Sequence, residues 1–228
     1  PFAALAVAMM ALGCSHSEIE TELKKAAQED SAVTEQQEEL YASRVLTEEK
    51  LFPEGIEGPA VGPDGMLYAV SFQRRGTIGK VTPEGECSLF VELPEGSTGN
   101  GIRFDSNEDM FVADYTGHNV LKVDMETKKI SVHAHEPKMN QPNDVAIASN
   151  DIIFCSDPNW AEGTGNIWRV KTDGTVDLLE ANMGTTNGIE VSPGDKRLYV
   201  NESVQRNVWA YDLSPEGDRS EEHTSELQ

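Results

Sequence analysis

Four polar residues stand at near-regular spacing in the sequence, each at the head of a short apolar run: Glu57, Asn100, Asn143 and Asn187. The intervals are 100 − 57 = 43, 143 − 100 = 43 and 187 − 143 = 44 residues. One carboxylate and three amides offer oxygen atoms but no thiolate or imidazole. Brought together, such groups suit a hard cation such as Ca²⁺ and disfavour a zinc site of the usual kind. A local reading competes. Asn-Gly is the strongest short turn signal, and Asn100-Gly101 and Asn187-Gly188 both carry it. Glu57 does not share that turn preference. Asn143 precedes Asp144 within QPNDVAIA, where Asn-Asp after proline is itself turn chemistry.

The segments around these residues align with one another. EGPAVGPDGMLYAV from Glu57 matches NGIRFDSNEDMFVAD from Asn100, NDVAIASNDIIFCSD from Asn143 and NGIEVSPGDKRLYVN from Asn187. Each copy reads as strand, polar turn and strand. A third strand is predicted at Gly76–Thr82, Asn119–Asp124, Gly165–Lys171 and Asn207–Asp212, and a fourth at Ser88–Glu92, Ile130–Ala134 and Val176–Leu179. Four strands per unit of roughly 40–50 residues is the signature of a β-propeller blade. A β-sandwich would have no reason to repeat its sequence. The expected fold is therefore all-β: a propeller of four-stranded blades, with about four blades present. Equivalent positions in successive blades surround the axis at one height, which puts Glu57, Asn100, Asn143 and Asn187 in one ring. Asp114, Asp157 and Asn201 close the second strand of their copies and read as structural blade-turn residues. Trp160 lies in a longer loop, Asn159 to Gly165, positioned to roof a pocket or to pack within the loop.

Glu57-Gly58-Pro59, Gln141-Pro142-Asn143-Asp144-Val145 with Phe154-Cys155-Ser156-Asp157-Pro158, and Thr186-Asn187-Gly188-Ile189 with Leu198-Tyr199-Val200 carry a likeness. In combination they resemble the gluconolactonase, regucalcin and luciferin-regenerating-enzyme family, over roughly Leu51 to Asp212. The resemblance implies a six-bladed propeller with a divalent metal in the channel mouth, often Ca²⁺, with Zn²⁺, Mg²⁺ or Mn²⁺ as alternatives. It implies that Glu57 and Asn187 are direct metal ligands. Asn143 would sit at the metal or contact it through water and substrate, and Asn100 would line the substrate pocket. A further Asp serves in the family as ligand and general base; by the period it would fall at about residue 230, past the last residue. The implied activity is metal-dependent opening of a sugar lactone. Another ester or phosphotriester hydrolysis on the same scaffold, or a non-catalytic ligand-binding propeller of the NHL kind, are the alternatives. No Gly-x-Ser-x-Gly elbow occurs, and His118, His133 and His135 lie outside the ring.

Composition narrows the partners. With 18 basic and 40 acidic residues the net charge is −22, which argues against nucleic acid and anionic lipid and suits cations or neutral small molecules. The opening PFAALAVAMMALGCSHS resembles a signal-peptide core, too short to span a bilayer. Ala11-Leu12-Gly13-Cys14 within it is similar to a bacterial lipobox. That predicts export to the periplasm or envelope with a lipid anchor on Cys14. Residues 15–50 read as a charged, partly helical tether and 51–217 as the propeller, incomplete at four blades of an expected six. RSEEHTSELQ, from Arg219, resembles a translated sequencing adapter, so 218–228 are set aside from the fold. The three cysteines, Cys14, Cys87 and Cys155, do not make a disulfide framework.

Overall fold

A computed structural model describes residues 43–227 together with Ser17, Thr21 and Lys24. The chain falls into two units, Pro1–Val45 and Leu46–Gln228. In the first, Ser17, Thr21 and Lys24 are helical, and the Thr21 hydroxyl donates to the Ser17 carbonyl one turn back. The signal-like segment, Cys14 and most of the tether lie outside the described residues. Among the described residues no helix is long and apolar enough to cross a membrane.

The second unit consists of four sheets, each a meander of four antiparallel strands in chain order. The first holds β1 (Ala60–Val61), β2 (Leu67–Val70), β3 (Thr77–Val81) and β4 (Cys87–Glu92). The second holds β5 (Gly99–Phe104), β6 (Met110–Asp114), β7 (Asn119–Val123) and β8 (Ile130–His135). β9 (Val145–Ile147), β10 (Ile153–Asn159), β11 (Thr164–Val170) and β12 (Val176–Met183) form the third. β13 (Thr186–Val191), β14 (Arg197–Glu202), β15 (Asn207–Leu213) and β16 (Arg219–Leu227) form the fourth. This is the propeller expected from the repeat.

The core explains the unbroken apolar runs Leu67–Val70, Met110–Ala113 and Ile153–Cys155 in the second strands of the first three blades. A blade between two others is covered on both faces, so successive side chains of one strand enter different cores. Met110 and Val112 pack toward the first blade with Tyr68, Val70 and Ile78. Phe111 and Ala113, between them in sequence, pack toward the third blade with Val145, Ile153 and Trp168. Phe154 and Ile167 of the third blade then meet Ile189, Leu198 and Val200 of the fourth. Three cores thus lie between four blades.

Two features differ from the sequence reading. The segment set aside at the C-terminus is paired: Arg219–Leu227 runs antiparallel to β15, with Tyr211 opposite Thr224 and Val208 opposite Leu227. An outer strand is held by ladder hydrogen bonds that any side chain can accompany, so apolar periodicity is a poor guide to it. The second difference concerns the fourth blade. In the first three blades the turn after the inner strand closes over four residues: Gly62 N to Met66 O, Asp105 N to Asp109 O and Ala148 N to Ile152 O. In the fourth it closes over five, Ser192 N to Arg197 O. The returning strand is therefore displaced by one residue, with consequences at the other end of the blade.

Cys87 and Cys155 are both free thiols, the second fully buried.

Candidate metal and substrate site

Three of the ring residues, Asn100, Asn143 and Asn187, owe their positions to a buried acid in the second strand of their own blade; in the first blade Val70 N bonds the Glu57 carbonyl at 3.2 Å. In the second blade Asp114 is fully buried, and its carboxylate accepts from Thr98 N at 3.1 Å, Ser97 Oγ at 2.8 Å and Asn119 Nδ2 at 2.8 Å. In the third, Asp157 accepts from Asn140 N and Gln141 N, both at 2.7 Å, and from Trp168 Nε1 at 2.8 Å. In the fourth, Glu202 accepts from Gly184 N and Asn207 Nδ2. Each acid thus pins the loop that enters the inner strand. Asn100, Asn143 and Asn187 follow two or three residues after the pinned amides. Each carboxylate spends its acceptor capacity on donors of the loop and of the neighbouring strand, so these acids are structural anchors.

The structural role expected for Asp114 and Asp157 is what the geometry shows. Asn201 was grouped with them, and here the structure corrects the reading. The extra residue in the Ser192–Arg197 turn slides the strand so that Glu202 enters the anchor slot, opposite Asn207 and 4% exposed. The spacing shows the slip, since 202 − 157 = 45 rather than the repeat's 43 or 44. Asn201 is released to face the channel.

Glu57, Asn100, Asn143 and Asn187 line one cavity of about 420 Å³, as the period predicts. Asn100-Gly101 and Asn187-Gly188 lie within strands β5 and β13, so the turn reading does not hold for either pair. Their glycines serve close approach instead. A Cβ on Gly101 would stand 2.4 Å from Asp144 Oδ1, and one on Gly188 would stand 2.5 Å from Asn201 Oδ1. Among the described residues the side chains of Glu57, Asn100 and Asn143 make no hydrogen bond, while Asn187 Nδ2 donates to Ser203 Oγ at 2.9 Å. Because that bond uses its nitrogen, the Asn187 oxygen is left free.

Three further residues share the cavity and were not singled out as ring members: Arg103, Asp144 and Asn201. Asp144 directly follows the ring residue Asn143. β9 begins only at Val145, so strict strand alternation does not yet separate the side chains of Asn143 and Asp144. The Asp144 carboxylate accepts from Val145 N at 2.9 Å and Ile189 N at 3.3 Å, and faces Arg103 Nη1 at 3.5 Å. Burial pushes its carboxyl above the ordinary range, while the Arg103 guanidinium pulls the other way. The cavity therefore holds two carboxylates, two or more free amide oxygens and one guanidinium. Among the described residues no three His, Cys, Asp or Glu side chains converge. This donor set fits a hard divalent cation held by amide oxygens and few charges, and does not fit a cysteine–histidine zinc centre.

Glu57, Asn100 and Asn143 also line an adjoining cavity of about 410 Å³, whose other walls include Arg75, Tyr115 and Trp160. Burial raises the Tyr115 phenol, and a hydrogen bond with Trp160 opposes the shift. Trp160 follows the end of β10 and is 38% exposed, so of the two roles read for it, the structure supports the one at the pocket. None of His118, His133 and His135 lines either cavity. His133 Nε2 meets the Lys171 carbonyl and His135 Nδ1 meets Asn119 Oδ1.

Four meandering blades with an oxygen-lined mouth define an axial-site β-propeller. The chain belongs to the SMP-30/Gluconolactonase/LRE-like family, whose profile matches residues 56–226. It is 27% identical over 188 residues to a gluconolactonase of Zymomonas mobilis, covering 71% of this chain and 53% of that protein. A shorter stretch of 69 residues is 32% identical to a pentonolactonase of Haloferax volcanii, 30% of this chain and 24% of that one. The chain thus spans about half the length of the gluconolactonase it matches. Among solved structures it is similar to a calcium-binding regucalcin of Agrobacterium tumefaciens, with TM-score 0.66, 19% identity and coverage of 82% and 62%. A gluconolactonase of Xanthomonas campestris gives TM-score 0.65, 17% identity and coverage of 78% and 63%. At these identities the structural likeness speaks for the fold.

Proposed function

We propose that the mouth is a divalent-cation site, with Ca²⁺ the favoured ion, at which a sugar lactone is opened by water. One observation carries this reading: four oxygen-bearing side chains a repeat apart, Glu57, Asn100, Asn143 and Asn187, line a single cavity in a chain of the gluconolactonase family. Glu57, Asn143 and Asn187 are the residues that would hold the ion, with Asn100 and Asn143 turned to substrate. When bound, the cation supplies Lewis acidity to the lactone carbonyl oxygen. Asn100 and Asn143 offer both donor and acceptor atoms to ring hydroxyls, and so hold the ring in one orientation. Asp144 adds the second negative charge that Glu57 alone does not provide. In the reaction water adds to the carbonyl carbon, the ring C–O bond breaks, and the ring oxygen takes up a proton to leave a hydroxy acid. The names of the Zymomonas and Haloferax relatives support sugar lactones as the substrate class. The lipobox-like Ala11-Leu12-Gly13-Cys14 supports action at a bacterial envelope, anchored through Cys14.

The test is calorimetric titration of the metal-stripped chain with Ca²⁺, beside lactone opening followed by acid release. Saturable binding, and turnover abolished by chelator and restored by Ca²⁺, are expected. Absence of binding, with acid release unchanged in excess chelator, would overturn the reading.

A further inference from the structure

Arg44, Arg75 and Arg206 have no side-chain ion pair or hydrogen bond among the described residues, and of the three it is Arg75 that lines the cavity shared with Glu57. Its neighbour Arg74 is neutralised by Glu92, with Nη2 to Oε1 at 2.6 Å, and Arg103, Arg169 and Arg197 each face a carboxylate. Arg75 has no ion pair or hydrogen bond among the described residues, although 40 acidic side chains are available to the chain. It stands instead at the cavity that holds Glu57, Asn100 and Asn143, which Trp160 and Tyr115 also line.

The turn presenting it is well determined. Thr77, 1% exposed, directs its hydroxyl at the Phe72 and Arg74 carbonyls, at 2.6 and 2.7 Å. Arg74 N bonds the Phe72 carbonyl at 2.7 Å, and Leu93 N bonds the Gly76 carbonyl at 2.9 Å. A fixed turn sets where the side chain starts, so binding has only the side chain itself to order. An unpaired guanidinium recognises a planar carboxylate or a phosphate through paired N–H donors. Trp160 and Tyr115 supply flat apolar surface for the C–H face of a sugar ring.

We propose that Arg75 is a specificity-determining residue, selecting sugar lactones that bear an anionic substituent, carboxylate or phosphate, away from the reacting carbonyl. The inference rests on the lactone reading of the site and narrows it. The amides and Glu57 would address the lactone end of the ring, and Arg75 the charged end.

The experiment uses the 228-residue chain with Ca²⁺ and three stable probes: D-galactono-γ-lactone, D-saccharic acid lactone and ribonolactone phosphate. They are respectively neutral, carboxylate-bearing and phosphate-bearing, and affinities are read by calorimetry. We expect at least one charged probe to bind about tenfold tighter than the neutral one, with the advantage shrinking as salt is raised. The stronger of the two charged arms identifies the substituent. In Arg75→Gln the ratio of charged to neutral affinity should fall to about one, Arg75→Lys should restore part of it, and Arg74→Gln should keep it. A wild-type ratio near one, or a ratio that survives Arg75→Gln, overturns the role of Arg75 alone. Failure of all three probes to bind overturns the lactone reading, and this inference with it.

Discussion

Asp144 and Gly101 belong to different blades, yet no side chain larger than hydrogen fits between them: a Cβ on Gly101 would meet Asp144 Oδ1 at 2.4 Å and Asp144 Cα at 2.7 Å. Gly101 N also donates to the Asn143 carbonyl at 2.8 Å, so the second and third blades are tied at the site itself. Gly101→Ala therefore forces backbone apart rather than turning a flexible side chain. It should destabilise the domain by about 1–3 kcal/mol, read from denaturant unfolding, and weaken Ca²⁺ binding in the same protein. Wild-type behaviour in both measurements would mean that the blades separate freely here.

Glu57 is exposed and its side chain makes no hydrogen bond within the described residues. Glu57→Gln should thus leave stability within about 0.5 kcal/mol of wild type. Removing even an outer partner of a metal ligand typically costs 10–100-fold in affinity, so loss of this carboxylate should weaken Ca²⁺ binding by at least about tenfold. Calorimetry on the stripped protein reads it, and unaltered affinity would remove Glu57 from the ion.

The anchor acids predict the opposite pattern. Asp157→Ala strands the Asn140, Gln141 and Trp168 N–H groups in a buried setting. A loss of at least about 1–3 kcal/mol is expected, the cost of leaving one buried donor unsatisfied. Glu202→Ala should behave in the same way, on a smaller scale, while Asn201→Ala should scarcely change the unfolding midpoint. If Asn201→Ala proved the more damaging of the two, the one-residue slip in the fourth blade would be wrong.

Asp144 carries a pH dependence. Burial raises its folded-state carboxyl above the 3.8 of a free aspartate. The unfolded chain therefore loses this proton first, and the site reduces stability as pH climbs from 3.8 through the folded value. The penalty is complete at neutral pH and absent below 3.8. Asp144→Asn should raise the melting temperature of the metal-free protein at pH 7. That gain should disappear in acid. A gain that persisted below pH 3 would trace to something other than the buried charge.

Much of this was legible from spacing. A period near 43 residues fixes both the blade and the height of equivalent residues around the axis, so Glu57, Asn100, Asn143 and Asn187 could be grouped without knowing a contact. Asp144 is not legible from the period, because it follows a ring residue directly and strand alternation would turn it away, whereas β9 starts only at Val145. Arg103 escaped because a basic residue inside an inner strand carries no signal that separates channel from surface. The exchange between Asn201 and Glu202 depended on one hydrogen-bonded turn, Ser192 to Arg197, which a repeat aligned by residue type passes over. The β16 pairing was hidden for a different reason: an outer strand joins by backbone, and its side chains need not announce it.

The longer Ser192–Arg197 turn sits at the far end of its blade from the mouth, yet it determines which of two adjacent residues looks into the channel. In a meander anchored by one buried acid, adding a residue to a remote hairpin threads the strand forward one step. It exchanges an anchor for a lining residue without replacing either. The chemistry of such a mouth can therefore be rewritten by insertions and deletions in surface loops, and position-by-position comparison of mouth residues across blades will misassign those whose hairpins differ in length.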